Sequence, residues 1–238
     1  MARILVTGGA GFIGSHIVDV LLEAEHGVIV VDDLSTGFRE NVNDGAKFVE
    51  MDVCSPELMG VFEREAPDCV CHLAAQMDVR RSLLEPMFDA TTNILGSINL
   101  LECCAKRSIK KVIYASTGGA VYGNPAELPA SESCPPKPIC HYGVSKYACE
   151  QYLQLCGLLY GLNHTILRCP NVYGPRQNPN GEAGVCAIFV GLMLDGASPT
   201  LYGYGKPMRD YVFVGDIARA VLLSLDHGDG QTVNLGSR

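Results

Sequence analysis

Short apolar runs alternate with amphipathic stretches along the first two thirds of the chain. The first two runs are Arg3-Ile4-Leu5-Val6 and Val28-Ile29-Val30-Val31, and residues 15–25 between them have the spacing of a helix with one apolar face. The same pattern predicts further strands at 47–50, 69–73, 111–115 and 163–167, and helices at 56–66, 87–106 and 142–160. This alternation is typical of βαβ units. We therefore predict an α/β fold, a Rossmann-type doubly wound parallel sheet.

The pattern changes after Arg168, where loops rich in Pro and Gly separate short apolar pieces. We predict that residues 1–168 form the Rossmann domain. Residues 169–238 are predicted to form part of a smaller substrate-binding lobe over the carboxyl edge of the sheet. A chain of 238 residues with 47% hydrophobic content can bury a core large enough for this arrangement.

A glycine-rich turn links the first strand to the first helix. Gly9, Gly11 and Gly14 have the G-x-G-x-x-G spacing, in which absent β-carbons permit a tight turn, the approach of a pyrophosphate and close packing of helix on strand. Asp32 ends the second strand, where a carboxylate accepts the ribose hydroxyls of NAD and repels the 2′-phosphate of NADP. Asp33 is a second candidate, with a turn cap as its alternative role. A turn that only connects two elements requires neither this glycine spacing nor an acidic residue at the end of the next strand, so we predict NAD binding.

Tyr142 and Lys146 lie one turn apart on the helix predicted at 142–160, after the hydroxyl pair Ser116-Thr117. Most such pairs are ordinary surface neighbours, and only the glycine turn favours a catalytic role here. A phenol has a pKa near 10, so a base near neutral pH requires a decrease of about three units, roughly 4 kcal/mol. An ammonium about 4 Å away at an effective dielectric of ~20 supplies about that much. We therefore expect Lys146 to lower the pKa of Tyr142, which would take a proton from an alcohol as its hydride passes to NAD.

Charge and cysteine content narrow the class of protein further. The net charge of −8 argues against nucleic acid and anionic membranes as partners. No apolar run has the length of a membrane span, and the N-terminus has no signal-peptide pattern, so we expect a cytoplasmic protein. The eleven cysteines are odd in number, and their spacing matches no metal site. We expect reduced core thiols and no bound metal.

These motifs resemble those of the extended short-chain dehydrogenases/reductases, and most closely those of the UDP-glucose 4-epimerase group, over essentially the whole chain. The resemblance implies that NAD contacts Gly8, Gly11, Phe12, Ile13, Asp32, Asp33, Asp52, Val53, Leu73, Ala74, Ala75, Asn93, Tyr142 and Lys146. The catalytic set that it implies is Ser116, Thr117, Tyr142 and Lys146, with Thr117 and Tyr142 also contacting substrate. Asn171 and Arg209 are similar to residues that hold the diphosphate of a UDP-sugar.

The activity implied by the resemblance is NAD-dependent 4-epimerisation of a UDP-sugar, UDP-glucose or UDP-galactose, through a transient 4-keto sugar. A homodimer is also implied, and the helices predicted at 87–106 and 142–160 carry apolar residues on more than one face. One alternative is another NAD-dependent sugar-nucleotide enzyme, such as a UDP-glucuronate epimerase or decarboxylase or a 4,6-dehydratase. The other is a cofactor-binding fragment without turnover.

Two features depart from the family pattern. Many epimerases have a Ser at the position of Gly118. Here Thr117, Ser116 or a water that fills the gap left by Gly118 can orient the sugar hydroxyl, and we assign the role to Thr117. The chain stops at Arg238, and the resemblance places a second phosphate-binding Arg beyond it. We expect a C-terminally truncated chain that binds UDP-sugar weakly and exposes apolar surface, which would promote association or disorder between about 178 and 207. For His72 we expect a core role, and for Tyr122 either contact with the sugar or packing at the sheet edge.

Overall fold

A seven-stranded parallel sheet forms the centre of the protein in the computed structural model, which describes residues 1–180, 184–206 and 208–237. The strands of this described chain are β1 (Arg3–Thr7), β2 (Gly27–Asp32), β3 (Lys47–Glu50), β4 (Cys69–His72), β5 (Lys111–Thr117), β6 (Asn163–Cys169), β7 (Asn171–Tyr173), β8 (Tyr211–Phe213) and β9 (Gln231–Asn234). The order in the main sheet is β3-β2-β1-β4-β5-β6-β9, and β7 pairs with β8 in a small second sheet. The predicted doubly wound parallel sheet is confirmed.

Helices cover both faces of the main sheet. The α-helices of the described residues are α1 (Phe12–Glu23), α2 (Leu58–Glu65), α3 (Val79–Leu84), α4 (Pro86–Ala90), α5 (Gly96–Lys106), α6 (Gly118–Val121), α7 (His141–Tyr160), α8 (Val185–Leu194) and α9 (Val214–Leu223). On one face, α1 and α9 bury Ile17 and Val221 in an apolar cluster with the strands. On the other, α2, α5 and α7 bury Phe62, Leu100 and Leu153. Because both faces are covered, the strands are nearly continuous apolar runs.

Several predicted elements differ in detail from those observed, and three of the differences bear on the site. The helix predicted at 87–106 consists of α4, a π-helical turn at Thr91–Leu95 and α5. The helix predicted at 56–66 begins only at Leu58, because a turn in which the Leu58 amide donates to the Ser55 carbonyl precedes it. The fifth strand extends two residues further than predicted, so Ser116 and Thr117 belong to β5.

The end of the described chain returns to the main sheet. Both α9 and β9 come from the predicted second region, yet β9 pairs with β6 and α9 packs beside α1. The division at residue 168 stays a prediction, although α9 and β9, which follow that residue, complete the sheet of residues 1–168.

For the segment 178–207 we expect association or disorder. Residues 181–183 and 207 lie outside the described residues, and α8 occupies part of the rest.

The cysteines are free thiols, and six of the eleven are buried. The buried six are Cys69, Cys71, Cys103, Cys104, Cys149 and Cys169. No helix within the described ranges is both long and apolar enough to cross a membrane.

The glycine turn supports a prediction about stability. A β-carbon at Gly14 would overlap the Gly8 carbonyl oxygen, whereas one at Gly11 would lie 3.3 Å from that oxygen. We predict that Gly14→Ala lowers the free energy of unfolding by about 2 kcal/mol, because α1 must move away from the turn. Gly11→Ala, the matched control, should cost less than about 1 kcal/mol. Urea unfolding followed by circular dichroism measures both, and equal losses would contradict the packing described.

Candidate active site

The predicted site residues gather along the carboxyl edge of the main sheet. The turn after β1, the loop after β4 and the ends of β5 and β6 all reach this edge, where the strand order reverses between β1 and β4. Ligands of open α/β sheets bind at such a point, because the loops diverge there and leave a crevice.

The glycine turn brings the N-terminus of α1 to this edge. Because α1 begins at Phe12, the backbone N–H groups of Phe12 and Ile13 have no carbonyl one turn earlier in the helix to bond to. The position of Gly11 leaves space in front of the turn, with the nearest atom to an added β-carbon at 3.3 Å. Free amides and an open approach are what the pyrophosphate of a dinucleotide requires. The turn therefore fits NAD.

Asp32 lies buried at the end of β2 and holds the two loops beside it. Its Oδ2 accepts a hydrogen bond from the Ala10 amide and its Oδ1 accepts one from the Leu34 amide, both at 2.9 Å. Burial raises the pKa of Asp32, and these two hydrogen bonds lower it. Each oxygen keeps a second lone pair for a ribose hydroxyl. The exposed Asp33 accepts hydrogen bonds from the Ser35 amide and hydroxyl at 2.9 and 2.6 Å. These bonds favour the role of a turn cap for Asp33.

Asp52 and Val53 follow β3 and form a wall of the same crevice. The Asp52 carboxylate is exposed and its Oδ1 accepts a hydrogen bond from the Cys54 amide at 2.8 Å. Val53 is buried, and its carbonyl accepts a hydrogen bond from Asn99 Nδ2 of α5 at 2.8 Å. Helix α5 thereby fixes the loop in which both residues lie.

His72 connects β4 to the glycine turn and to α5. Its Nδ1 is 2.7 Å from Thr7 Oγ1 and its Nε2 is 2.9 Å from Ser97 Oγ. Thr7 Oγ1 also accepts hydrogen bonds from the Leu73 and Ala74 amides at 3.2 Å. Burial lowers the pKa of His72 to about 3, so the imidazole is neutral. The expected core role of His72 is confirmed, and its bonds hold the segment that continues into Ala75.

Asn93 lies in the π-helical turn and joins the loop after β4 to α7. Its Oδ1 accepts a hydrogen bond from the Gln76 amide at 2.8 Å, and its Nδ2 donates to the Gln76 carbonyl, to Asp89 Oδ1 and to Ser145 Oγ at 3.0 to 3.2 Å. The side chain is buried and its polar atoms are all used by the protein. These hydrogen bonds give Asn93 a role in holding the loop after β4 against α7, and its contact with the cofactor stays a prediction.

Thr117, Tyr142 and Lys146 meet where β5 ends against α7. The Thr117 side chain lies close enough to the Tyr142 phenol to lower its pKa. Lys146 is buried one turn further along α7, and its Nζ lies 4.4 Å from the centre of the Tyr114 ring. The structure thus brings together a phenol, a hydroxyl and an ammonium beside the glycine turn.

The pKa of Tyr142 differs from our expectation. Burial raises it above the usual value of a phenol, and the hydrogen bond with Thr117 lowers it by a smaller amount. Burial also lowers the pKa of Lys146, because an ammonium away from water is disfavoured. The net decrease that we expected in the pKa of Tyr142 is not found in the protein chain by itself, because burial of the phenol has the largest effect on it and raises it.

Ser116 and Thr117 point to different surroundings, as adjacent residues of a strand must. The Ser116 hydroxyl is buried and donates a hydrogen bond to Glu150 Oε1 at 2.5 Å. Its catalytic role stays a prediction, whereas Thr117 is the hydroxyl that acts on Tyr142. Tyr122 is also buried, and its hydroxyl donates to Asn234 Oδ1 at 2.8 Å, which supports packing at the sheet edge.

Asn171 and Arg209 lie close together beside the small sheet. The Asn171 amide donates to the Asp210 carbonyl at 3.1 Å, as β7 pairs with β8. Both side chains are exposed, and Arg209 Nη1 donates to the Met208 carbonyl at 2.8 Å. A shared role in holding a diphosphate stays a prediction.

Sequence reasoning missed four buried polar residues that support the site: Thr7, Ser97, Glu150 and Arg168. One signal was present for Glu150, which continues the four-residue spacing of Tyr142 and Lys146 along α7. For the others, only a polar residue within an apolar strand or helix marked a position that needs a buried partner.

Comparison with known proteins agrees with this geometry. Residues 4–236 match the NAD dependent epimerase/dehydratase family. A putative UDP-glucose 4-epimerase of Methanocaldococcus jannaschii is 48% identical, over 98% of this chain and 76% of the relative.

Two solved structures are similar as well. The UDP-glucose 4-epimerase of Thermotoga maritima with UDP-glucose has a TM-score of 0.96 and 51% identity, over 98% of this chain and 76% of that one. The Thermus thermophilus UDP-glucose 4-epimerase complex with NAD has a TM-score of 0.92 and 47% identity, over 98% and 77%. Because the family match spans nearly every residue and the glycine turn, Asp32 and Tyr142 with Lys146 lie in one crevice, this chain belongs to the NAD dependent epimerase/dehydratase family.

Proposed function

We propose that this protein is an NAD-dependent epimerase that interconverts UDP-glucose and UDP-galactose at C4 of the sugar. The observation that carries the proposal is the meeting of Thr117, Tyr142 and Lys146 at the end of β5, beside a turn that fits a dinucleotide. The similar proteins from Thermotoga maritima and Thermus thermophilus, whose names give UDP-glucose 4-epimerase, support this activity.

NAD would be held by the amides of Phe12 and Ile13, by Asp32, and by the wall that contains Asp52 and Val53. When bound, it supplies an acceptor for the hydride from the sugar and returns that hydride. Tyr142 takes the proton of the 4-hydroxyl as the C4–H bond breaks, so that a C4=O bond forms, and gives the proton back after the sugar has turned. Thr117 orients the sugar oxygen. Because burial raises the pKa of Tyr142, the phenolate depends on Thr117 and on Lys146 for its stabilisation.

The diphosphate of the substrate is assigned to Asn171 and Arg209, whose exposed side chains lie at the same edge of the small sheet. Elimination by a 4,6-dehydratase, or handling of a carboxylate by a uronate enzyme, needs an acidic residue beside the catalytic hydroxyl. Gly118 and Gly119 offer none at that place. The epimerase is therefore favoured over these alternatives.

A homodimer is part of the proposal. Helices α3, α4 and α7 expose large apolar side chains, and the most exposed are Leu84, Met87 and Leu158. Exposed apolar surface on these neighbouring helices favours association with a second copy, since the apolar side chains would otherwise remain in water.

A cytoplasmic location is likewise proposed. The support comes from the free thiols, which persist in a reducing compartment.

The first test concerns the base. Tyr142→Phe should reduce the conversion of UDP-galactose by about 10²–10⁴-fold, because the proton acceptor is lost while the ring still packs. NAD affinity should stay within about twofold. Tyr147→Phe, on the same helix, is the matched control and should keep its rate. A coupled assay for UDP-glucose gives the rates, and a Tyr142→Phe variant with most of its activity would show that the base is another group.

The second test concerns the cofactor. NAD should bind at least about tenfold more tightly than NADP, a difference of ~1.4 kcal/mol or more, because the Asp32 carboxylate repels a 2′-phosphate. Asp32→Asn should narrow the preference, since it removes the charge and keeps an oxygen for one of the two loop amides. Asp33→Asn should leave the preference nearly unchanged, because that carboxylate caps a turn. Isothermal titration of both nucleotides measures the ratios, and equal affinities in the unmodified protein would count against Asp32 as the ribose acid.

The third test concerns association. Sedimentation velocity at micromolar concentration should give the mass of a dimer, and Leu158→Lys should give a monomer by placing a charge within the apolar surface. Leu128→Lys changes an equally apolar and exposed residue outside α3, α4 and α7, and should leave the dimer intact. A monomeric mass for the unmodified protein would rule out the proposed interface.

A further inference from the structure

A buried ion pair lies directly behind the residues assigned to catalysis. Glu150 of α7 is fully buried and Arg168 of β6 is 5% exposed, so neither charge is solvated. Arg168 Nε donates to Glu150 Oε1 at 3.0 Å and Arg168 Nη2 donates to Glu150 Oε2 at 2.6 Å. The two parallel bonds fix both the distance and the direction between α7 and β6, as a planar guanidinium allows and an ammonium does not.

Further hydrogen bonds join this pair to three other parts of the chain. Ser116 of β5 donates to Glu150 Oε1 at 2.5 Å, and Arg168 Nη1 donates to the Tyr122 hydroxyl at 2.7 Å. Tyr122 in turn donates to Asn234 Oδ1 of β9 at 2.8 Å. The pair therefore connects α7, β5, β6 and β9 through groups whose hydrogen-bonding capacity is largely used.

Glu150 lies one helical turn from Lys146, and Arg168 lies opposite the residue that precedes Thr117. Along α7, Tyr142, Lys146 and Glu150 follow one another at four-residue spacing, on one side of the helix. In the sheet, Arg168 is in register with Ser116, and the next pair of residues in register consists of Thr117 and Cys169. The ion pair thus holds the helix that carries the base against the strand that carries the hydroxyl.

The charges matter as well as the geometry. Glu150 raises the pKa of Lys146, one turn before it on the helix. Arg168 donates a hydrogen bond to each oxygen of this carboxylate, which is therefore already paired. The other titratable groups that face Tyr142 and Lys146 are Cys140 at the start of α7, Cys149 of α7, Asp89 of α4, His72 of β4, Tyr114 of β5 and Cys169 of β6.

Stability alone does not account for such a pair. Removing two charges from water costs about as much as their attraction returns, and apolar residues of similar volume often serve the fold as well. A buried pair with full hydrogen bonding is useful where it specifies one arrangement of the elements that it joins.

We propose that Glu150 and Arg168 are positioning residues, which set Tyr142 and Lys146 against Thr117 and prevent Lys146 from pairing with Glu150. The proposal rests on the proposed function, because it assigns Tyr142 as the base. It does not require that either residue contacts substrate.

The test compares Arg168→Lys, Arg168→Met and the double variant Glu150→Gln with Arg168→Met in the full chain. Glu65→Gln is the matched control, since Glu65 is a buried carboxylate that pairs with Lys47 and Arg64 at the opposite edge of the sheet. For each protein we would measure the melting temperature, kcat and KM for UDP-galactose, the pH dependence of kcat, and the ¹³Cζ resonance of Tyr142. The resonance is assigned through its loss in Tyr142→Phe, and it reports the hydrogen bond with Thr117 whether or not turnover occurs.

Arg168→Lys should lower kcat by about ten- to a hundredfold with KM within about threefold, because the charge stays and the fixed direction is lost. Arg168→Met should also move the acid limb of kcat to higher pH, since Glu150 loses its counter-charge and the resulting negative field raises the pKa of the base. In the double variant, the acid limb of the pH dependence of kcat should move back towards that of the unmodified protein, while kcat itself stays low. Tyr142 should shift its resonance in all three proteins, and Glu65→Gln should change only the melting temperature.

Other results would overturn the proposal. If the Arg168 variants lose melting temperature as Glu65→Gln does, but keep kcat, the acid limb and the Tyr142 resonance, the pair serves the fold alone. Where Arg168→Met fails to fold, Arg168→Lys and Ser116→Ala decide the question by the same readouts. Absence of turnover in the unmodified protein would contradict the proposed function, and the resonance would still decide whether the pair positions Tyr142.

Discussion

The arrangement of the site depends on polar groups that are buried at the carboxyl edge of a parallel sheet and must be satisfied there. A buried donor or acceptor without a partner costs about 1–3 kcal/mol, and a buried charge costs more. His72 meets this demand through Thr7 and Ser97, and Glu150 meets it through Arg168 and Ser116. Because each bond joins a different strand or helix, satisfying the buried groups also fixes where the loops and α7 lie.

The same burial shapes the chemistry. Tyr142 and Lys146 are desolvated together, so the pKa of the phenol rises and that of the ammonium falls. The phenolate of a desolvated tyrosine must be stabilised by hydrogen bonds and charges of neighbouring groups, because water does not stabilise it. Thr117 and Lys146 are the groups on this chain that can give it. The position of α7 relative to β5 therefore matters more to the proposed reaction than the identity of any one surface residue.

Much of the fold follows from the sequence, because alternating apolar runs and amphipathic stretches specify βαβ units locally. The glycine turn and Asp32 were likewise predictable, since each depends on residues close in the chain. The return of β9 to β6 was not, because it joins residues more than sixty positions apart whose pairing is decided by packing.

The details of the site follow the same division. Whether Ser116 or Thr117 serves the substrate depends on which side of β5 each occupies at the end of the strand, and sequence left both open. The hydrogen bonds of Asn93 with Gln76, Asp89 and Ser145 could not be predicted, because these partners come from three separate segments of the chain. The direction of the Tyr142 pKa shift required knowledge of its burial, which spacing along a helix does not contain.

In the proposed reaction, the hydrogen at C4 of the sugar leaves as a hydride and returns to the same carbon without entering water. Incubation of the protein with UDP-galactose deuterated at C4, followed by mass spectrometry and NMR of the product, tests this directly. We expect UDP-glucose that retains the deuterium at C4, and we expect no deuterium at C4 when unlabelled substrate reacts in D₂O. Loss of the label to solvent, or epimerisation at another carbon, would contradict it.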